Sequence, residues 1–301
     1  MNVQTIELRV VRMPLVRPFA TSQGITSERD VLVAHVIGDA EGWGECEHQS
    51  RAIEMATLDA ELKLAGVSLA QHLGGTRTTI DSTATVGFED DVDEFLAAGY
   101  RSIKFKVSPE RRPSRLPDGV SLQFDANGSF AACPKRVAEL DDLDLLAIEQ
   151  PLAPGDASGH AWLTRELTTP ICLDESITSI DAIDPATCRA VCVKPSRVGG
   201  LAAARAIHDR CVDIGLAAKV GGNLETGIGR AAALALASLP GFTLPADLSA
   251  SGRYWEQDLT APFVLDADGR LPVPTGPGLG VDILMDVVER CTVSVEIVRL
   301  T

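Results

Sequence analysis

The sequence has few basic residues relative to its acidic ones. Its 301 residues contain 27 lysines and arginines against 42 aspartates and glutamates, which gives a formal net charge of −15 at pH 7. A basic face is the usual requirement for binding nucleic acid, and this balance argues against one. No nucleic-acid partner is therefore expected.

The sequence also lacks long apolar runs and the N-terminal pattern of a signal peptide. The first residues lack a basic region followed by an apolar one, so no signal peptide is expected. The run from Ala231 to Leu239 is alanine-rich and too short to span a bilayer. We therefore expect no membrane association and a cytoplasmic location.

The seven cysteines form no recognisable pairing or metal-binding pattern. Their number is odd, and neither a CxxC pair nor a zinc-like spacing of cysteine and histidine occurs. Buried free thiols in a reducing cytosol are the simplest interpretation. With 45% hydrophobic residues, the chain can form one barrel, or a barrel with a small second domain.

What the sequence does contain is a repeated unit, an apolar strand that ends in a charged residue. Five such strand ends follow one another, with helical patterns between most of them: Lys106, Asp125, Glu149, Asp174 and Lys194. This repeat is typical of the active-site face of a parallel α/β barrel. The three prolines of 109–118 argue against a regular helix in the second unit, since an interior proline costs a helix about 3 kcal/mol.

The regions that flank the repeat predict a second, smaller module. Residues 1–76 combine strand and helix patterns, which indicates an α+β module with loops at 17–24 and 44–50. The barrel is expected to span 77–265. The segment 266–301 ends in an alternating pattern that could return to pair with the N-terminal sheet.

Three carboxylates lie on successive strand ends, at Asp125, Glu149 and Asp174. Barrel geometry brings such ends together, and one oxygen ligand per strand suits a hard divalent ion, Mg²⁺ before Zn²⁺. Capping of a helix N-terminus is the structural alternative for any one of them. Three carboxylates in consecutive units, flanked by lysines, favour a metal site over capping.

Lysines flank these carboxylates on both sides. Lys104 and Lys106 alternate with Phe105, so both point to the same face of the strand. Lys194 lies on a strand that faces the strand of Lys106 across the mouth of a round barrel. A lysine beside a divalent cation and another lysine has a lowered pKa and can act as a base, although an isolated lysine more often forms a surface ion pair. We expect a metal to bind a substrate carboxylate, a lysine to remove the α-proton, and the metal to stabilise the enediolate.

Five short motifs resemble the enolase superfamily, muconate-lactonising subgroup. They are Lys104-Phe105-Lys106, Asp125-Ala126-Asn127, Glu149-Gln150-Pro151, Asp174-Glu175-Ser176 and Lys194-Pro195. Longer stretches resemble the o-succinylbenzoate synthase and N-succinylamino acid racemase family: 171–176, 194–200, 221–230, 247–251 and 273–281. The resemblance implies an α/β fold, a modified (β/α)7β TIM-like barrel with a shortened α+β capping domain formed by the N-terminus and the C-terminal tail.

The resemblance also implies roles for the strand-end residues. Asp125, Glu149 and Asp174 would bind Mg²⁺, for which Mn²⁺ could substitute. Lys106 would be the catalytic base, and Lys194 would lie on the opposite face of the substrate.

Other residues are implied in substrate binding. Lys104 and Asn127 would support the substrate carboxylate and the metal shell. Thr21, in the first lid loop, and Gly222 and Asn223, at strand seven, would contact the substrate.

Several positions depart from the family pattern. Only a few residues separate Cys46 from Ala52, where the family has extra helices, and the proline-rich segment 109–118 replaces a helix. The family normally has an apolar residue at the position of Asn223. These departures leave lid closure and substrate identity open. The roles of three further residues are open as well: His48, Arg197 and Lys219.

The activity implied first is that of a hydro-lyase, o-succinylbenzoate synthase. It dehydrates 2-succinyl-6-hydroxy-2,4-cyclohexadiene-1-carboxylate in menaquinone biosynthesis. The first alternative is an N-succinylamino acid racemase or another muconate-lactonising-type isomerase, with Lys106 and Lys194 as opposed bases. The second is a non-catalytic relative whose lid is too short to close. The expected partner is a small-molecule carboxylate, and the chain could form a homo-oligomer.

Overall fold

The structure, a computed structural model, describes residues 1–21, 24–113 and 117–300, except for the side chains of 19–21 and 24. The strands are β1 (Val3–Thr21), β2 (Gly24–Gly38), β3 (Glu41–Glu45), β4 (Thr79–Asp81), β5 (Thr83–Val86), β6 (Ser102–Lys106), β7 (Ser121–Asp125), β8 (Ala147–Glu149), β9 (Ile171–Leu173), β10 (Ala190–Val193), β11 (Ala217–Val220), β12 (Arg270–Pro272) and β13 (Thr292–Arg299). The α-helices are α1 (Gln49–Ala65), α2 (Leu69–Leu73), α3 (Val92–Ala97), α4 (Ala157–Glu166), α5 (Pro195–Val198), α6 (Leu201–Asp213), α7 (Gly227–Ala237) and α8 (Met285–Cys291).

The barrel is built from seven parallel strands in chain order, from β5 to β11. An irregular segment, 244–248, occupies the eighth position and closes the sheet. The Asp247 N–H donates to the Val220 carbonyl at 2.9 Å, and the Thr83 N–H donates to the Ala246 carbonyl at 2.9 Å. The active-site face predicted from the sequence therefore belongs to a closed barrel.

The outer layer of helices is incomplete. Strands β6 and β7 are joined without a helix in the described residues, so the structure confirms the effect expected of the prolines in 109–118. Only 3₁₀ helices lie between β7 and β8 (Pro134–Leu140) and between β9 and β10 (Ile180–Ala182). No helix in the described chain combines the length and apolar character needed to cross a bilayer.

The second module is an antiparallel sheet in the order β13-β1-β2-β3, covered by α1. Helix α1 approaches β3 closely because two glycines leave room for it. A Cβ atom at Gly42 would lie 2.0 Å from the Ala56 carbonyl oxygen, and one at Gly44 would lie 2.2 Å from that of Ala52. The opposite face of the sheet packs against the barrel through residues such as Val33 in the main core.

Two chain segments complete this module. Strand β13 pairs antiparallel with β1, which confirms the predicted return of the C-terminal end. The expectation of a loop at 17–24 is wrong, because β1 runs to Thr21 and β2 begins at Gly24. Pairing of 19–21 with 24–26 gives those backbone groups hydrogen-bond partners within the sheet. Residues 22 and 23 lie outside the described part, and the domain limits stay a prediction.

All seven cysteines are free, as the sequence predicts. Five are buried and two are half-buried. They contribute to the core as small apolar side chains.

Candidate active site

A cavity of about 420 Å³ opens at the C-terminal ends of the barrel strands. Its lining contains seven of the predicted site residues: Lys104, Lys106, Asp125, Asn127, Lys194, Gly222 and Asn223. Glu149 and Asp174 lie beneath this cavity, 0% and 1% exposed. The side chain of Thr21 lies outside the described residues. The strand-end charges therefore come together at one mouth.

Asp125, at the end of β7, is held by two lysines of β6. Lys106 Nζ donates to Asp125 Oδ2 at 2.7 Å, and Lys104 Nζ lies 3.1 Å from the same oxygen. Both lysines therefore point into the barrel, as their alternation with Phe105 predicts. Asn127 accepts a second bond from Lys106 Nζ at 2.7 Å, and its backbone N–H donates to Asp125 Oδ1 at 3.1 Å.

Glu149, at the end of β8, lies between two other lysines. Lys104 Nζ donates to Glu149 Oε1 at 3.0 Å from the cavity side. Lys219 Nζ lies 2.5 Å from Glu149 Oε2 and donates to Gln123 Oε1 at 2.6 Å. The sequence left the role of Lys219 open, and the structure places it under the predicted metal ligands.

Asp174 follows β9 and is paired with Lys194 and Arg197. Lys194 Nζ donates to Asp174 Oδ2 at 2.9 Å, and Arg197 Nη1 donates to Oδ1. Gln150 fixes the backbone here, because its Oε1 accepts the N–H groups of Asp174 and Ser176 at 3.0 and 3.1 Å. Arg197 therefore belongs to the site.

A fourth carboxylate, the half-buried Asp247, completes the cluster. Lys104 Nζ donates to Asp247 Oδ2 at 2.5 Å, and Thr85 Oγ1 donates to Oδ1 at 2.7 Å. Asp247 lies on the irregular segment that closes the barrel, so no apolar strand pattern marks it as a strand end. The only feature of the sequence that points to Asp247 is its place in 247–251, one of the stretches that resemble the o-succinylbenzoate synthase and N-succinylamino acid racemase family.

The ion pairs govern the pKa values of these groups. Burial lowers the pKa of Lys194, but the Asp174 carboxylate outweighs burial and holds that pKa above its usual value. Burial raises the pKa of Asp174, yet Lys194 and Arg197 bring it down to about 2. The protein groups alone therefore do not lower the pKa of Lys194.

The donor set fits a hard divalent cation. Ligand atoms of Glu149, Asp174 and Cys192 all lie within 4.8 Å of one another. Burial raises the pKa of the Cys192 thiol well above its usual value, and the nearby carboxylates add to the rise, so the thiol is a poor ligand. The carboxylates remain, and with Asp125 on the neighbouring strand they form an oxygen donor set of the kind that Mg²⁺ prefers.

The rim of the cavity joins the two modules. Asn223 Nδ2 donates to Glu47 Oε1 at 2.5 Å, and Arg29 Nη2 donates to the same oxygen at 2.9 Å. Arg29 and its β2 neighbours Ile25 and Thr26 line the cavity. His48 is exposed and is not among the residues that line it.

Below the rim, Glu45 connects β3 to the start of α7. Its Oε1 accepts the Thr226 N–H at 3.0 Å, and its Oε2 accepts the Gly229 N–H at 2.8 Å and the Thr226 hydroxyl at 2.6 Å. Burial raises the pKa of Glu45 to about 7, against the lowering effect of these hydrogen bonds. A carboxylate of the capping module thus binds the N-terminus of a barrel helix.

Known proteins resemble the chain along nearly its whole length. The family described as "Enolase C-terminal domain-like" matches residues 87–287. An N-succinylamino acid racemase of Amycolatopsis sp is 40% identical, over 97% of this chain and 98% of the relative. An o-succinylbenzoate synthase of Bacillus subtilis strain 168 is 41% identical, over 81% of this chain and 71% of the relative.

A solved structure extends the likeness to the fold. An enolase-superfamily member from Listeria innocua Clip11262 superimposes with a TM-score of 0.93 at 30% identity, and all of both chains is covered. The alignment with the Amycolatopsis relative has 361 positions. It includes 97% of this 301-residue chain, or about 292 residues. At the other positions, about 70 in number, only the relative has a residue. This chain is therefore a shortened member of the enolase superfamily.

Proposed function

We propose that the protein is an Mg²⁺-dependent o-succinylbenzoate synthase. The observation that carries the proposal is the convergence of two lysines, Lys106 and Lys194, at one cavity with three predicted metal ligands in or directly beneath its lining. The Bacillus subtilis relative of that name adds support. The reaction would be a step of menaquinone biosynthesis in the cytoplasm.

The charges around the cavity suit a substrate with two carboxylates. Among the described residues, six cations line it: Arg29, Lys104, Lys106, Lys194, Arg197 and Arg230. Three acids line it: Asp125, Glu175 and Asp247. With Glu149 and Asp174 beneath the cavity included, the six cations still outnumber the five carboxylates. 2-Succinyl-6-hydroxy-2,4-cyclohexadiene-1-carboxylate carries a ring carboxylate and a succinyl carboxylate, so the positive charge favours its binding.

The lysines supply the proton chemistry. Lys106, as the free amine, takes the α-proton and becomes an ammonium group. The carbon–oxygen bond of the ring hydroxyl then breaks, and the Lys106 ammonium returns its proton to the departing hydroxide, which leaves as water. Lys194 stays protonated and stabilises the negative charge on the substrate carboxylate. Asp125, Glu149 and Asp174 would hold Mg²⁺, which stabilises that charge as a Lewis acid when bound.

Racemisation of N-succinylamino acids is the second candidate. It is favoured by the Amycolatopsis relative, which matches the chain over nearly its full length. Lys106 and Lys194 would then act as bases on opposite faces of the α-carbon, and the same succinyl carboxylate would be recognised.

A steady-state assay with both substrates tests the proposal. Purified protein with Mg²⁺ should dehydrate the cyclohexadiene carboxylate with a higher kcat/KM than it racemises N-succinylphenylglycine. A higher kcat/KM for racemisation would assign the protein to the second candidate. Activity on neither substrate would favour a non-catalytic relative and contradict the proposal.

A further inference from the structure

Lys219 lies beneath the cavity and contacts one of the proposed metal ligands from below. Its side chain is 0% exposed. Its Nζ lies 2.5 Å from Glu149 Oε2 and donates to Gln123 Oε1 at 2.6 Å. Four small buried residues on β8, β9 and β10 leave space for this long side chain inside the barrel: Ala147, Cys172, Ala190 and Cys192.

Lys219 differs from the other cations that contact the carboxylates. Four of these cations line the cavity, so each can leave its carboxylate partner and contact a bound ligand instead: Lys104, Lys106, Lys194 and Arg197. Lys219 is not a lining residue, and both of its partners are fully buried. Its charge therefore stays beside Glu149 whether or not anything occupies the cavity.

We propose that Lys219 is a positioning residue that holds Glu149 and sets the affinity of the site for its divalent cation. By pairing with Glu149 Oε2, it keeps a buried carboxylate neutralised when no metal is bound, so the barrel can fold without the metal. The same fixed positive charge repels an incoming cation and weakens its binding. This inference rests on the metal site of the proposed function.

Removing the charge should therefore tighten metal binding. Lys219→Gln keeps a donor for Gln123 but has no charge. Titration of the full chain with Mn²⁺, without substrate, followed by electron paramagnetic resonance, should give a Kd at least tenfold lower for Lys219→Gln than for the wild type. The matched control is Lys135→Gln, which removes the charge of an exposed lysine and should leave the Kd within twofold.

A second variant covers the case in which Lys219→Gln does not fold. The double variant Gln123→Leu/Lys219→Met removes both members of the buried pair, which leaves fewer polar groups unsatisfied. If either variant melts cooperatively only with Mn²⁺, the metal has replaced the lysine and the inference is supported. If neither variant folds even with Mn²⁺, Lys219 has a structural role that the metal does not share, and the inference is overturned.

The titration also separates this inference from the metal site itself. Equal or weaker Mn²⁺ binding by folded Lys219→Gln overturns the role of Lys219 and leaves the metal site standing. Absence of Mn²⁺ binding in both proteins contradicts the metal site, and the inference falls with it. Binding by the variant alone would support the inference most strongly.

Discussion

The floor and the rim of the cavity are built in different ways. On the floor, Asp125, Glu149 and Asp174 are almost fully buried and each contacts two cations. At the rim, the antiparallel module meets the barrel through a few side-chain bonds, such as that from Asn223 to Glu47 in the loop after β3. The difference indicates that the barrel strands fix the positions of the reacting groups. Substitutions at the rim, which is held by few bonds, can change substrate preference with little loss of stability.

Removing the metal should have the largest effect, because it acts directly on the floor. Excess chelator should abolish dehydration, and Mg²⁺ or Mn²⁺ should restore it, because the metal would supply the Lewis acid that stabilises the negative charge on the substrate carboxylate. Asp174→Asn should lose metal affinity and still melt cooperatively by circular dichroism. Full activity in excess chelator would contradict the metal assignment.

Loss of the base should come next. Lys106→Ala removes the proposed proton acceptor and should lower kcat for dehydration by about 10³-fold. The fold should be retained, because Lys104 still pairs with Asp125 at 3.1 Å. Steady-state kinetics beside Lys135→Ala, which changes an exposed lysine, checks the effect. A loss below tenfold would show that another group takes the proton.

The sequence predicts the floor better than the rim, for physical reasons. A charge at the end of an apolar strand is a local pattern, so Lys106, Asp125, Glu149, Asp174 and Lys194 could all be placed at one mouth. The rim depends on pairs far apart in the chain, such as Glu47 with Asn223, which are 176 residues apart. Local patterns do not encode such pairs.

Three other features also had little signal in the sequence. Asp247 lies on an irregular segment, and Lys219 is a lysine where a barrel interior usually has an apolar residue. The end of the β1–β2 hairpin was expected to be a loop, because Pro18 and Gly24 are typical of turns. There, long-range strand pairing prevails over the local preference.

The junction beneath the rim should respond to pH. Glu45 has a pKa of about 7 in the folded protein, above its ordinary value of 4.5. Folding therefore favours the neutral carboxyl group of Glu45. Its contribution to the free energy of unfolding is complete below pH 4.5 and is lost as the pH rises to 7. Relative to Glu45→Gln, the wild type should lose about 3 kcal/mol of unfolding free energy across that interval.

Urea denaturation at several pH values measures this difference. The matched control is Glu61→Gln, at an exposed glutamate on α1, which should parallel the wild type throughout. Parallel pH curves for wild type and Glu45→Gln would show that Glu45 is ionised at no cost in the folded state.

The smallest effect is expected at the rim itself. Asn223→Ala removes the bond to Glu47 and should raise KM about threefold to tenfold with little change in kcat, since one such bond contributes about 0.5–1.5 kcal/mol. Glu47→Ala should have a similar effect, and the double variant should be no worse than either single one. Additive increases in KM would mean that the two side chains act separately. An unchanged KM would show that this bond at the rim does not affect substrate binding.

The central claim is that Lys106 and Lys194 face the substrate from opposite sides above the buried carboxylates. Solvent deuterium incorporation into each enantiomer of N-succinylphenylglycine, followed by NMR, tests it most directly. Lys194→Arg keeps the positive charge but has no base at ordinary pH. It should therefore exchange the α-proton of one enantiomer only, while the wild type exchanges both. Equal exchange of both enantiomers by Lys194→Arg would contradict the claim.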